Sequence, residues 1–274
     1  MPSRNPVFGR IEQEQRAGRF ATFRSSAPTP TSGDLEGMYT APSATSVDTG
    51  RLTYDDVIMK TGIQFAVLLS FAAVAWWYTA SRATIGQVTA IWFVSMFAAL
   101  ALSFVISAKR TISVPLILTY AAVEGVFVGA ASQYFNQYYQ GVVGEAVLGT
   151  LAAFAGMLVA YKVGLIKVND KFRRIMGFAL IGYFFVAMAS LVGAFFGVGG
   201  GFGFYGAGAL GILLCLAGVG LAAVTLALDF DSIDRMVAAG APAKTAWLLG
   251  FGLLVTLVWL YIELLRLLSI LRQN

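Results

Sequence analysis

The sequence predicts an all-α membrane protein, a bundle of seven transmembrane helices preceded by a polar tail. Three observations predict it. Of 274 residues 58% are hydrophobic and only 12% charged, with a mean hydropathy of +0.76, whereas soluble domains carry about 25% charged residues. The apolar residues gather into seven runs, each near the ~20 residues that cross about 30 Å of hydrocarbon. The basic residues between those runs fall almost wholly in alternate breaks, as the positive-inside rule requires of a polytopic chain.

In chain order, residues 1–55 are rich in Ser, Thr, Pro, Gly and Arg around Ala27-Pro28-Thr29-Pro30-Thr31-Ser32-Gly33. So little apolar surface cannot offset chain entropy, which predicts a disordered tail. The tail lacks the apolar core of a signal peptide, so it is expected on the cytoplasmic side, with the first span an uncleaved anchor. Arg4, Arg10, Arg16, Arg19 and Arg24 set topology or rest on anionic lipid. Thr53-Tyr54-Asp55-Asp56 reads as a helix cap and acidic first turn opening the membrane domain, residues 56–274.

The spans fall at roughly 62–80, 86–107, 112–135, 142–163, 175–197, 205–228 and 247–270, by length and apolarity. Lys109 and Arg110 follow the second, Lys162, Lys167, Lys171, Arg173 and Arg174 the fourth, and Arg235 and Lys244 the sixth, against Arg82 alone on the other side. That asymmetry predicts a cytoplasmic N-terminus and, with seven spans, a C-terminus outside the cell membrane. Arg266 and Arg272 then lie near the outer end and must snorkel to water. The loops are short, and Gly197-Val198-Gly199-Gly200-Gly201-Phe202-Gly203 is a flexible turn rather than a phosphate cradle, since it follows no strand and has no Lys or Ser/Thr in place. A ligand site must therefore lie within the bundle.

Composition also excludes chemistry. With no histidine and one cysteine, Cys215 in an apolar run, the chain can form no internal disulfide, cysteine metal site or His-based triad, and Cys215 is a packing residue. No nucleophile with a base is visible, so an enzyme is not expected; nor is a bound cofactor or a nucleic-acid partner. The last span contains no lysine, which excludes a retinal Schiff base. No inverted repeat points to a secondary transporter.

Intramembrane acids remain. An ionised carboxylate in hydrocarbon costs several kcal/mol unless paired, hydrated or protonated, so such residues are functional candidates. Glu124 lies mid-way along the third span, with Gly125 and Gly129 beside it to permit close helix approach, and should face the interior. It either makes one interhelical hydrogen bond or lines an ion path. Glu145 opens the fourth span, where interfacial water and the helix N-terminus favour its charge. Asp229, Asp231 and Asp234 close the sixth apolar run, at the negative end of a helix dipole. Asp231 and Arg235 are four apart and can pair; Asp234 is expected to reach solvent. Asp229, deepest in the run, is the member expected to exchange a proton near neutrality.

Glu263, in the last span, has Arg266 as its close helical neighbour, which allows a local ion pair. The alternative sets Glu263 against Asp229 across the last two helices, where two carboxylates share a proton or bind a cation. Calcium suits such a site, because it takes oxygen ligands in irregular geometry. A geometric condition applies: if the last helix begins at about Lys244, Glu263 lies roughly 28 Å along it and cannot meet Asp229. The pairing therefore needs a turn or interfacial helix between residue 231 and about residue 250, with Val237 to Lys244 as the breaker.

At these residues the chain resembles the Bax inhibitor-1 family in a bacterial form, through Leu228-Asp229-Phe230-Asp231-Ser232-Ile233 and Leu260-Tyr261-Ile262-Glu263-Leu264-Leu265-Arg266-Leu267-Leu268. The resemblance spans about residues 53–272. It implies a proton-sensitive calcium leak channel with a paired carboxylate sensor in the last two spans and the last helix central. Asp229 and Glu263 match the pair, although Asp231 competes for the first role and the second acid is glutamate where aspartate is usual. The partners implied are calcium ions, protons and the lipid bilayer. A regulator of a membrane protease or other membrane protein is the alternative, and its activity would survive neutralisation of either acid.

Overall fold

The computed structural model describes residues 50–109, 111–201, 203–206 and 208–273. The tail expected over residues 1–55 lies, up to residue 49, outside the described residues. Seven long helices follow: α1 (Tyr54–Ser81), α2 (Ile85–Ala108), α3 (Val114–Tyr138), α4 (Val142–Lys162), α5 (Asp170–Phe195), α6 (Ala209–Ala238) and α7 (Thr245–Leu271). Each is long and apolar enough to cross a membrane.

The helix starts follow local chemistry. Thr53 caps α1 in a reciprocal capping box with Asp56, and Thr84 does the same for α2 with Gln87, so two orphan N–H groups are satisfied at each end. Asn169 caps α5 by accepting from Phe172 N at 2.8 Å. Pro stands in the first turn of α3, where its missing N–H costs nothing.

The helix α6 departs most from the pattern of apolar runs. It does not stop at the acids near residue 228 but runs ten residues further, to Ala238. Asp231, Asp234 and Arg235 prolong it as a polar end, and nothing breaks it before Gly240, whose φ of 64° closes the helix in a conformation glycine adopts freely. The turn between α6 and α7 is pinned by the segment preceding α1. Leu52 N donates to Ala241 O and Ala243 N to Gly50 O, both at 2.8 Å, and Lys60 Nζ reaches Ala243 O at 2.7 Å.

The most buried helix is α7, with 61% of its apolar window inside the protein, against 44% for α3 and at most 28% for the rest. It packs on α6, α1, α4 and α3 and is the central helix. Two glycines set α3 against α1: a Cβ at Gly125 or Gly129 would collide with the backbone carbonyls of Leu68 and Ala72. This is the small-residue contact that membrane helices use to approach closely. The glycine-rich connection is not the open flexible turn expected. It forms two short 3-10 turns, Val198–Gly201 and Gly203–Tyr205, that fold back on α5, where Phe204 N donates to Ser190 Oγ at 2.9 Å. Cys215 is fully buried beside Tyr205, Leu267 and Ile270, in the packing role expected.

Candidate functional site

Glu263 lies on α7, four residues after Trp259 and three before Arg266, and is only 4% exposed. Its Oε1 accepts from the Tyr183 hydroxyl of α5 at 2.7 Å and from Trp259 Nε1 at 3.2 Å. Arg266 stands at 3.9 Å from the same oxygen, a loose ion pair, because its guanidinium lies over the Tyr205 ring, 4.5 Å from the centroid. The other oxygen, Oε2, is buried without a hydrogen-bond partner. Space for the carboxyl comes from Gly218 of α6: a Cβ there would collide with the Tyr183 hydroxyl and sit 2.8 Å from Glu263 Cδ and 2.9 Å from Oε2.

Glu124 of α3 is 7% exposed and faces inward as expected. It lines the same cavity as Glu263, about 530 Å3 in volume, with Trp92 and Phe97 of α2, Tyr183 of α5 and Arg266 of α7 also on its wall.

Asp229 occupies a different depth. It faces Thr256 of α7, whose hydroxyl donates to the Gly252 carbonyl at 3.2 Å, and its Oδ2 is buried with no partner. Gly218, which abuts Glu263, precedes Asp229 by eleven residues of α6, or about 16 Å at 1.5 Å per residue. The direct Asp229–Glu263 pair expected from the sequence is therefore not formed. The reason is the condition stated above: α6 continues to Ala238 and α7 restarts at Thr245, so no interfacial detour brings Glu263 back to the level of Asp229. Among the described residues no group of three or more acidic or cysteine side chains gathers as a metal cage.

The remaining acids serve as ties. Asp231 Oδ2 pairs with Arg235 at 2.9 Å, the expected intrahelical contact, and also contacts Arg173 Nη2 of α5, which joins two helices at the end carrying the basic loops. Asp234, expected in solvent, instead accepts from Tyr161 of α4 at 2.8 Å and from Tyr54 of α1 at 3.0 Å. Glu145 receives Arg272 Nη2 at 2.7 Å, and Arg272 also donates to the Gln140 carbonyl, so this arginine is anchored to protein rather than simply snorkelling. Sequence reasoning missed Tyr183, Trp259, Tyr205 and Gly218 around Glu263. Trp259 carried a signal, four residues from the acid on one helical face; the other three are tertiary neighbours with none.

Seven apolar helices, six of them around a central one that carries a buried carboxylate, define a multi-pass membrane protein with ionisable groups inside its span. The chain matches the family described as Bax inhibitor 1 like over residues 5–273, and it belongs to that family. The match reaches back through the N-terminal tail, for which the sequence motifs suggested no counterpart. A protein of Chlamydia muridarum (strain MoPn / Nigg), described as uncharacterized, is 32% identical over 111 residues, which are 39% of this chain and 47% of that protein. The alignment thus spans about half of that relative's length.

Proposed function

We propose that this protein is a pH-sensitive leak channel for calcium or related cations in the cell (inner) membrane, with its N-terminus cytoplasmic and its C-terminus outside. The observation that carries the reading is Glu263: a carboxylate 4% exposed on the most buried helix, with one oxygen held by Tyr183 and Trp259 and the other unpartnered. Such a group costs several kcal/mol to keep in hydrocarbon. Tyr183 and Trp259 satisfy one oxygen only, and the buried Oε2 left without a partner supports a role in handling cations or protons.

Acids recur along the seam of α6 and α7 and in the cavity beside α7. Glu263 and Glu124 share the cavity, Asp229 stands about 16 Å further along α6, and Asp231 and Asp234 close the far end. Each offers oxygen ligands of the kind calcium takes. Between Glu263 and Asp229 the seam is filled by Ala222, Leu226 and Leu260, all fully buried, so conduction along it would require α6 and α7 to part. Protonation of Glu263 would remove the charge that Tyr183, Trp259 and Arg266 face, and that change supplies the pH sensitivity. Asp229 is the second sensor, acting through its own contact with α7 rather than through a shared proton.

The test is calcium flux into liposomes from acid to neutral pH, comparing the parent with Glu263→Gln and Asp229→Asn. Glu263→Gln should flatten the pH response, and Asp229→Asn should alter flux without abolishing it. Unchanged flux and pH response in both variants would refute the proposal.

A further inference from the structure

We infer that the cavity bounded by α2, α3, α5 and α7 is a binding site for a lipophilic amine, a single-chain monocation that enters from the bilayer. This inference does not rest on ion conduction. The cavity holds about 530 Å3, within the range of roughly 300–1,000 Å3 typical of small-molecule sites. Its walls are chiefly aromatic and aliphatic, and among the described residues the charged side chains on them are Glu124, Glu263 and Arg266.

The charge balance selects the ligand. Two carboxylates meet one guanidinium, and that guanidinium is already engaged, stacked on Tyr205 at 4.5 Å and 3.9 Å from Glu263 Oε1. Were both acids ionised, one negative charge would be left inside an apolar enclosure, where an unpaired charge is strongly unfavourable and is relieved by a proton or by a bound cation. A single ammonium neutralises it. Trp92, Tyr120, Tyr183 and Trp259 lie on the wall, and aromatic rings attract a cation more strongly when water is excluded. An anionic amphiphile such as a fatty acid would meet the two carboxylates and is disfavoured by the same count.

The route of entry follows from the packing. Along this cavity α2 packs on α3, while α5 packs on the two 3-10 turns and α6, so among the described residues no helix is packed between α2 and α5. Phe97 and Leu100 on one lip and Phe184 on the other are 45%, 38% and 44% exposed on a surface that faces lipid. An alkyl chain can therefore lie between the lips while the ammonium reaches the acids.

The experiment uses the full-length protein in phosphatidylcholine nanodiscs and measures binding of radiolabelled dodecylamine, with unlabelled dodecylamine or its neutral analogue dodecanol as competitor. Saturable binding is expected, displaced by the amine and not by the alcohol. The Glu124→Gln/Glu263→Gln double variant should bind roughly tenfold or more weakly, and Ala187→Trp, which projects a ring from α5 into the cavity, should bind weakly as well. Equal displacement by dodecanol would overturn the inference and leave an apolar groove filled by any chain. Undiminished binding to the double variant would overturn it too. The competition arm needs no variant, so the test stands even if the double variant fails to fold, and since calcium is absent its failure is separate from failure of the channel reading.

Discussion

Replacing Gly218 with alanine tests the built environment of Glu263 directly. The new methyl would collide with the Tyr183 hydroxyl and lie 2.8 Å from Glu263 Cδ, well inside van der Waals contact. Either the tyrosine moves and its 2.7 Å hydrogen bond to Glu263 lengthens, or α6 is pushed away from α7. Overpacking of this kind costs about 1–3 kcal/mol, and loss of a hydrogen bond to a charged group falls in the range of about 1.5–3 kcal/mol. These are two routes to one relaxation, so they do not add. Gly220→Ala supplies the control on the same helix, since a Cβ there meets nothing within 4 Å and helix propensity alone favours alanine by up to about 1 kcal/mol. The assay is unfolding in mixed micelles by titration with dodecyl sulfate, followed by far-UV circular dichroism. Gly218→Ala should lower the midpoint while Gly220→Ala leaves or raises it. Tyr183→Phe removes the closest colliding atom, so Gly218→Ala should cost less in that background, a coupling a double-mutant cycle reads out. Equal midpoints for the two alanine variants, or a Gly218→Ala cost indifferent to Tyr183→Phe, would refute the account of the site.

Other consequences are open to the same measurement. Arg173→Ala should lower the unfolding midpoint more than Arg235→Ala, because Arg173 ties α5 to α6 through Asp231 whereas Arg235 pairs within its own helix, where a contact contributes about 0.3–0.5 kcal/mol; the reverse order would count against the interhelical tie. Tyr161→Phe and Tyr54→Phe each remove a hydrogen bond to Asp234, worth about 0.5–1.5 kcal/mol, with the larger loss at Tyr161 because Tyr54 is 51% exposed. Reporter fusions at the two ends should place the N-terminus in the cytoplasm and the C-terminus outside, and finding both on one face would contradict seven crossings.

Local features were legible in the sequence because their causes are local. The spans follow from run length, the α1 start from the Thr53 and Asp56 spacing, the Asp231–Arg235 pair from four-residue separation, and a close helix approach at α3 from glycines one turn apart, whereas α1 as its partner had no signal in the sequence. The fate of Asp234 was not legible, since its partners Tyr54 and Tyr161 come from helices 180 and 73 residues away in the chain. The misplaced Asp229–Glu263 pair has a sharper cause. Where an apolar run ends is not where a helix ends, and the polar continuation of α6 to Ala238 moved the turn.

In an antiparallel pair of helices the turn sets the register, so residues equidistant from it face each other. The turn between Ala238 and Thr245 is centred near Ala241 and Pro242. Counting outward, Val237 falls opposite Ala246 and Ile233 opposite Gly250, next to Leu249, and Val237, Ala246, Ile233 and Leu249 share one packed cluster. Further out the same count sets Asp229 near Thr256 and Gly218 near Glu263, as the side-chain contacts record. Antiparallel α6 and α7 joined by so short a turn can bring Asp229 to Glu263 only by sliding several residues past each other. The two acids therefore lie at separate levels of the seam, with Leu226 and Leu260 packed between them. A cross-link between cysteines placed at positions 229 and 256 should form readily, and one between positions 229 and 263 should not; efficient formation of the second would restore the pair and overturn the two-level arrangement.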